Sequence, residues 1–180
     1  MRIATCIVIM ASVLLVSGCG ITASSRNAGY ADLDSLGFWD VDNTMSLSFG
    51  PSILRLAASG EDNSPETEAL LRGLDGVRVK TYDIVGDEQK VFERIDQMRV
   101  HLEAQGWVPV IVVQEQGERT VMLMKVEGEA IVGLTVLNSD AQEAVIVNIM
   151  GELQPEMFSE TMAALDVDVP GVEVVDPDLN

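Results

Sequence analysis

Four apolar runs follow one another between residues 107 and 150, and they decide the fold: WVPVIVVQ (107–114), RTVMLMKV (119–126), AIVGLTVL (130–137) and AVIVNIM (144–150). They are rich in β-branched residues, which favour strands. The connections between them are short and contain Gly, Asn, Asp or Ser, so each run is expected to turn back beside its predecessor. The sequence therefore predicts a single α+β domain built on an antiparallel β-meander, with helices packed on one face of the sheet.

Several of these runs are apolar on both faces of the predicted sheet. Val110 and Val112 alternate with Ile111 and Val113, and the run from 144 to 150 has the same character. Helices account for one face only, and an uncovered apolar face of roughly several hundred square ångströms is uncommon on a soluble monomer. We expect the second face to be covered by a second copy in a homodimer, by a protein partner or ligand, or by the chain's own termini.

A long helix is predicted upstream of the meander, beginning near Gly86 or Asp87 and ending at Gly106. Its apolar residues recur at spacings of four, three and four, which places them on one face of the helix. That face is expected to belong to the core. The residues concerned are Val91, Ile95, Met98 and Leu102.

A second stripe on the same helix is basic and polar and contains Lys90, Arg94, Gln97 and His101. At about 100° per residue it lies about 80° from the apolar stripe. In so acidic a chain, Lys90, Arg94 and His101 form a candidate docking stripe for a partner. The alternative interpretation is that these side chains pair with neighbouring carboxylates of the same protein.

Further elements are predicted on either side of this helix. A strand covers residues 45–49, a helix runs from Gly50-Pro51 to Gly60, a second helix is capped by Ser64, and a strand covers 77–85. The first of these helices is expected to bury Ile53, Leu54, Leu56 and Ala57, and the second to present Leu70, Leu71 and Leu74. A last helix is predicted from Pro155, with Phe158, Met162 and Leu165 facing inward.

The N-terminus has the anatomy of an export signal, with Arg2 followed by an apolar run from 3 to 16. The run is short for a membrane span, although an uncleaved membrane helix is the alternative. It closes with VSGC (16–19), which resembles the bacterial lipobox. The resemblance implies cleavage before Cys19 and multiple acylation of that cysteine, of the palmitate type. Gly20, in place of Asp, implies forwarding to the outer membrane.

These patterns divide the chain into four segments. Residues 1–18 are predicted to be a lipoprotein signal peptide, and residues 19–44, rich in Ala, Ser, Asn, Gly and Asp, a flexible tether. The α+β domain is predicted over 45–166, followed by an acidic tail over 167–180.

The chain is strongly acidic, with 29 Asp and Glu against 11 Lys and Arg, and a formal net charge of −18. Loss of the signal removes Arg2 alone, leaving 29 acids against 10 bases, or −19. Nucleic acid is not an expected partner, because phosphate binding needs a basic surface. Residues 32–37 invite comparison with a calcium loop, but Leu36 and Asn43 stand where such a loop needs ligands. We interpret the acidity as solubilising.

The residue types that carry most catalysis are scarce. Cys6 lies in the predicted signal and Cys19 is predicted to be acylated, so no cysteine is left for a disulfide, a nucleophile or a metal. His101 is the single histidine, too few for a His-based metal cluster or a serine triad. No sequence motif for a hydrolase, a metalloprotease or a phosphate loop occurs. We expect a protein without catalytic residues, cofactor or metal.

The order of elements is similar to that of a known family. A helix precedes GLDGVRV (73–79), a long helix ends in EAQGW (103–107), and the meander contains EQGERTV (115–121) and VIVNIMGEL (145–153). Over about residues 45–170 this resembles the small bacterial envelope proteins grouped as domain-of-unknown-function family 4252. The resemblance implies a secreted or lipidated α+β domain without assigned activity, in a family associated with envelope signalling systems.

Together these features favour a membrane-anchored envelope lipoprotein that acts as a non-catalytic binding or regulatory accessory module. The expected location is the periplasmic side of the outer membrane, with attachment through Cys19. The expected partner is a second copy or another protein on the apolar sheet face. A structural envelope lipoprotein is the first alternative, and a hydrolase without a known motif is the second.

Overall fold

The computed structural model describes residues 20–33, 43–84, 88–115 and 117–153. Within these ranges the chain forms six strands and three helices. In chain order they are β1 (Asn43–Phe49), α1 (Pro51–Ala58), α2 (Pro65–Gly73), β2 (Leu74–Asp83), α3 (Glu88–Ala104), β3 (Trp107–Glu115), β4 (Glu118–Glu127), β5 (Ala130–Ser139) and β6 (Glu143–Leu153). The predicted α+β class is confirmed.

All six strands form one antiparallel sheet in the order β1-β2-β6-β5-β4-β3. The predicted meander is confirmed, since β3, β4, β5 and β6 are consecutive neighbours. The sheet then extends past β6, where β2 and β1 add on, so that β1 and β3 are its edges. Connections through α1 and α2 join β1 to β2 at one end of these strands.

One face of the sheet, called the first face here, carries the core. Its residues on the central strands include Val121, Leu123, Leu137, Ala144 and Ile146, all buried. Helix α3 packs across β3, β4 and β5 on this face. The predicted apolar stripe of the helix is confirmed: Val91, Ile95, Met98 and Leu102 are buried, together with Phe92.

The end of α3 is also as predicted. Gly106 adopts a φ of +83°, which lets the chain leave the helix and enter β3 at once. Its N–H donates to the Glu103 carbonyl oxygen at 2.9 Å, which satisfies one of the last helical acceptors. The predicted start at Gly86 or Asp87 lies outside the described residues.

Residues 20–33, called the strap here, lie across the rest of the first face, although their composition predicts part of a flexible tether over 19–44. Ala31 and Leu33 are buried in the same core as α3. The strap can lie this close to β5 because glycines meet at the contact. A Cβ on Gly29 would lie 2.7 Å from the Val132 carbonyl carbon, and a Cβ on Gly133 would lie 2.6 Å from the Cα of Gly29. Residues 34–42 lie outside the described residues.

The two short helices differ from prediction in what they bury. In α1 the buried residues are Leu54 and Ala58, one turn apart, whereas Leu56 is 71% exposed and Ala57 is exposed as well. A helix of two turns that contacts the sheet along one stripe leaves its other apolar residues in solvent. The expectation that α1 buries Leu56 and Ala57 is therefore wrong.

In α2 the predicted cap is confirmed, since the Ser64 Oγ accepts from the Thr67 N–H at 3.2 Å. The helix buries none of its own residues, and Leu70 is exposed. Leu74 is buried, but as the first residue of β2. The predicted signal peptide with Cys19, the helix from Pro155 and the acidic tail lie outside the described residues.

Candidate functional site

The opposite side of the sheet, called the second face here, is a continuous apolar surface. Strand register aligns its residues in three rows that cross all six strands. The middle row is Leu47, Val79, Val147, Val136, Met122 and Ile111. The row nearest α1 is Phe49, Val77, Ile149, Leu134, Met124 and Val108. The third row is Met45, Thr81, Val145, Asn138, Thr120 and Val113.

No charged residue occupies any position of these three rows. The polar members lie together near one end, where the Asn138 amide donates to the Thr120 hydroxyl and to the Glu118 carboxylate, both at 2.8 Å. At the two edges Met45, Leu47, Val108 and Val113 are exposed. The core cluster formed with α3 and the strap draws on the first face only.

The register separates two valines on the edge strand β3 that the sequence could not distinguish. Val112 pairs with Val121 and so belongs to the first face, whereas Val113 pairs with Thr120 and belongs to the second. Both are exposed, at 52% and 45%. Val110 lies where the register shifts between Pro109 and Ile111. These two valines therefore offer a matched pair of positions, similar in exposure and opposite in face.

The predicted docking stripe lies on α3, on the other side of the sheet from the second face. Lys90 is exposed, and Arg94 and His101 are half-buried. The Arg94 Nη1 donates to the Gln97 Oε1 at 2.8 Å, and the His101 Nε2 lies 2.6 Å from the Gln105 Nε2. The structure thus places the stripe on one helix but does not bring it next to the apolar face.

Two basic side chains of β4, Arg119 and Lys125, connect the sheet to α3 and its C-terminal end, and the sequence alone did not indicate this. Arg119, on β4, is largely buried, with its side chain 13% exposed, and its Nη2 lies 2.5 Å from the Asp96 Oδ1. Arg99 bridges Asp96 and Glu103 along the helix, and the hydrogen bond to Glu103 raises the pKa of Arg99. Lys125 donates to the Gln105 carbonyl oxygen at the other end of α3. The available signal was Arg119 and Lys125 at alternate positions of a mostly apolar strand.

A buried polar cluster centred on Asn148 fixes the strap. The Asn148 Nδ2 donates to the Gly29 carbonyl oxygen at 2.9 Å and to the Thr135 Oγ1 at 3.1 Å, and its Oδ1 accepts from the Ala31 N–H at 3.1 Å. Asn148 and Thr135 are almost completely buried. A buried amide must find partners for its donors and acceptor, so this residue holds the strap in one position. Its sequence signal was an Asn inside the apolar run of β6.

Additional contacts attach the strap along its length. The Arg78 guanidinium lies 4.6 Å from the centre of the Tyr30 ring, a cation–π contact. The Asn27 Nδ2 donates to the Asp75 Oδ2 at 2.9 Å. Near its start, the Ala23 N–H donates to the Ser48 Oγ at 3.1 Å. The strap is therefore joined to β1, β2, β5 and β6.

Two hollows border the strap. One, of about 20 Å³, has room for about one water molecule and is lined by Arg78, Lys80, Tyr82 and Asn148 among others. The other is an open depression of about 570 Å³ beside the start of the strap, lined by Gly20, Thr22, Arg26, Pro51 and Asp75 among others.

The perturbed carboxylates lie in capping positions on the surface. Backbone N–H groups of Gln142 and Glu143 lower the pKa of Asp140 in the β5–β6 turn. The hydrogen bonds of its own N–H and of Ser64 lower the pKa of Glu66 at the start of α2. Across the described residues, no group of three or more His, Cys, Asp or Glu side chains is arranged to hold a metal ion. None of the helices described is long and apolar enough to cross a membrane.

Fold and surface define a class of protein: a small α+β domain with a six-stranded antiparallel sheet, one covered face and one apolar face. The family model described as "Domain of unknown function (DUF4252)" matches residues 38–161. The chain belongs to this family. The match leaves out the strap, which precedes it. No curated protein and no solved structure matches the chain.

Proposed function

We propose that this protein is a membrane-anchored envelope lipoprotein that serves as a non-catalytic binding or regulatory accessory module, and that the second face is its binding surface. The observation that carries the proposal is the absence of charge from three rows of six residues, in a chain with 11 basic and 29 acidic residues. Depletion of charged residues is the compositional mark of an interface core.

The size of the second face supports an interface with another protein. Six strands about 4.8 Å apart, and rows about 6.8 Å apart along the strands, give it an area of roughly 600 Å². That equals the largest apolar patch found on a typical monomer, roughly 300–600 Å². Two copies joined through this face would bury about 1,200 Å², the lower end of the range for stable complexes. A homodimer therefore ranks first and a different protein partner second.

The anchoring part of the proposal rests on VSGC (16–19) and the apolar run before it. With several acyl chains on Cys19 the protein would stay on the membrane, since a single chain binds only marginally. We place it on the periplasmic side of the outer membrane because Gly20, and not Asp, follows the cysteine, as in the forwarded lipoproteins that the motif resembles. The test is incorporation of labelled palmitate, which Cys19→Ser should abolish. Labelling of the variant at the normal level would refute the anchoring.

The binding surface is tested by the oligomeric state of the chain from Gly20 onward, which keeps the strap. We expect sedimentation to show a dimer, and Val136→Asp, at the centre of the second face, to give a folded monomer. Val113→Asp should weaken the dimer, whereas Val112→Asp, equally exposed but on the first face, should leave it unchanged.

A monomer at all concentrations, with no bound ligand and no binding of an apolar dye, would refute the binding surface. That result would favour the structural lipoprotein. A monomer that binds the dye, with binding lost in Val136→Asp, would place a different protein partner ahead of the homodimer.

A further inference from the structure

The start of the strap is fixed to the folded domain. The Gly20 carbonyl oxygen accepts from the Ser52 N–H at 2.9 Å, and the Ile21 carbonyl oxygen accepts from the Gly50 N–H at 2.6 Å. A Cβ on Gly50 would clash with the Gly20 carbonyl oxygen, so only glycine permits this approach. The residue that follows Cys19 is therefore held directly against the first turn of α1.

The strap meets α1 on the side opposite the residues that the helix buries. Leu54 and Ala58 are the buried residues of the helix. Ser52 lies about 200° around the helix from Leu54, and Leu56 lies about 40° from Ser52, one turn further along. A Cβ on Gly20 would lie 2.7 Å from the Ser52 Oγ, so Gly20 lies over this outer side.

This outer side carries exposed apolar side chains. Leu56, at 71%, is more exposed than any other large hydrophobic residue of the described chain, and Ile21, next to Gly20, is 51% exposed. One residue spans at most about 3.6 Å, so an acyl group on Cys19 would begin within a few ångströms of Gly20. Gly20 contacts Ser52, and Leu56 lies about 6 Å from Ser52 along the helix axis, so Leu56 is close to the point where the acyl group would begin.

We infer that the outer side of α1, with Ser52 and Leu56, and the adjacent Ile21 form a membrane-contact surface that lies on the lipid headgroups. The inference rests on the proposed acylation of Cys19. Its occupant is the lipid surface itself, since the acyl chains would enter the bilayer beside these residues and leave no free linker between membrane and domain.

The charges around the surface favour a neutral lipid surface. Arg55 on α1 and Arg26 on the strap are exposed, and so are Glu61 and Asp62 in the loop after α1. Opposite charges in similar number give little net attraction to anionic lipid, so contact depends on the anchor and the apolar side chains.

The orientation has a consequence for the second face. The β5–β6 turn with Gln142 lies at the end of the sheet away from α1, because Asp83 pairs with Glu143 there while Phe49 pairs with Val77 at the α1 end. A membrane contact at the outer side of α1 would therefore leave the β5–β6 turn, with the adjacent part of the second face, at the end of the sheet away from that contact.

The test uses the full lipidated chain in phosphatidylcholine vesicles. An environment-sensitive thiol dye is attached at Leu56→Cys or, as the matched control, at Gln142→Cys; acylation blocks Cys19 against the dye. We expect a blue-shifted emission and at least about twofold quenching by spin-labelled lipid at position 56, and neither at position 142. Leu56 is exposed, so its replacement leaves the core intact.

The mass of the N-terminal peptide distinguishes a failure of the proposed acylation from a failure of the proposed orientation on the membrane. Without acyl groups on Cys19, both the anchoring and this orientation are refuted. With acyl groups present, equal quenching at the two positions refutes the orientation alone.

A second variant tests the role of the strap. An insertion of about ten Gly and Ser residues directly after Cys19, beginning with Gly, would release the domain from the membrane surface. We expect acylation and fold to persist and the quenching at position 56 to disappear. Quenching that persists would support the membrane contact of Leu56 but would overturn the role of the strap, because the apolar side chains would then hold α1 on the lipid without a short, fixed connection to Cys19.

Discussion

On β5 and β6, the residues that face α3 and the strap are buried, whereas their neighbours one position along the chain keep part of their surface accessible. Leu137 is fully buried and the adjacent Val136 is half-buried, although both are aliphatic. These two side chains are similarly hydrophobic, and their packing is different. The first face is therefore expected to determine stability, and the second face to determine association.

The largest effect is expected from the first face. Leu137→Ala leaves a cavity beneath α3 and should lower the free energy of unfolding by about 2–5 kcal/mol. The matched change on the second face, Val136→Ala, should lower it by about 1 kcal/mol or less. Urea unfolding of the chain from Gly20, at low protein concentration, measures both. Equal losses would mean that the second face is packed as tightly as the first.

A smaller effect is expected from the polar groups of the two faces. Asn148→Ala leaves the buried Ala31 N–H and Gly29 carbonyl without their partner and should cost about 2–3 kcal/mol. Asn138→Ala, on the second face, should cost about 1 kcal/mol or less, because Thr120 and Glu118 remain near water.

Hydrogen exchange locates the effect of Asn148→Ala. The Ala31 amide should exchange faster in this variant than the amides of β4, because the strap is released while the sheet remains. If Ala31 kept its protection, Asn148 would not be what holds the strap.

Periodicity was enough to predict the part of the fold that depends on local pattern. The spacing of Val91, Ile95, Met98 and Leu102 identified the buried face of α3, and the turn residues between apolar runs identified the meander. Strand order beyond β6 was not predictable, because nothing local indicates which edge of a meander receives β2 and β1.

The strap could not be predicted because its composition is that of a linker. Gly29, Ala31 and their neighbours bind through distant partners, namely Gly133 and Asn148, which lie more than one hundred residues away along the chain. The face of each valine on β3 was also undetermined, since the register shift between Pro109 and Ile111 changes the alternation. Of the candidate sites, the sequence placed the docking stripe on α3. Only the structure shows that this stripe and the second face lie on opposite sides of the sheet.

The smallest effect on stability is expected from the β5–β6 turn, which connects two strands that contribute to both faces. Asp140 joins β5 to β6, and its Oδ1 accepts from the Gln142 and Glu143 N–H groups at 2.7 and 2.8 Å. These bonds hold the pKa of Asp140 below its ordinary 3.8. A carboxyl group with a lowered pKa stabilises the fold at pH values above its unfolded pKa, and this contribution is lost as the pH falls through the folded pKa.

Asp140→Asn should therefore be less stable than the parent chain at neutral pH, and the difference in stability should shrink below pH 3.8. Glu66, whose pKa is also lowered, is unchanged in both chains, so its contribution cancels when melting temperatures are compared at each pH. A difference that stays constant down to pH values well below 3.8 would mean that the charge of Asp140 contributes nothing to the stability of the turn.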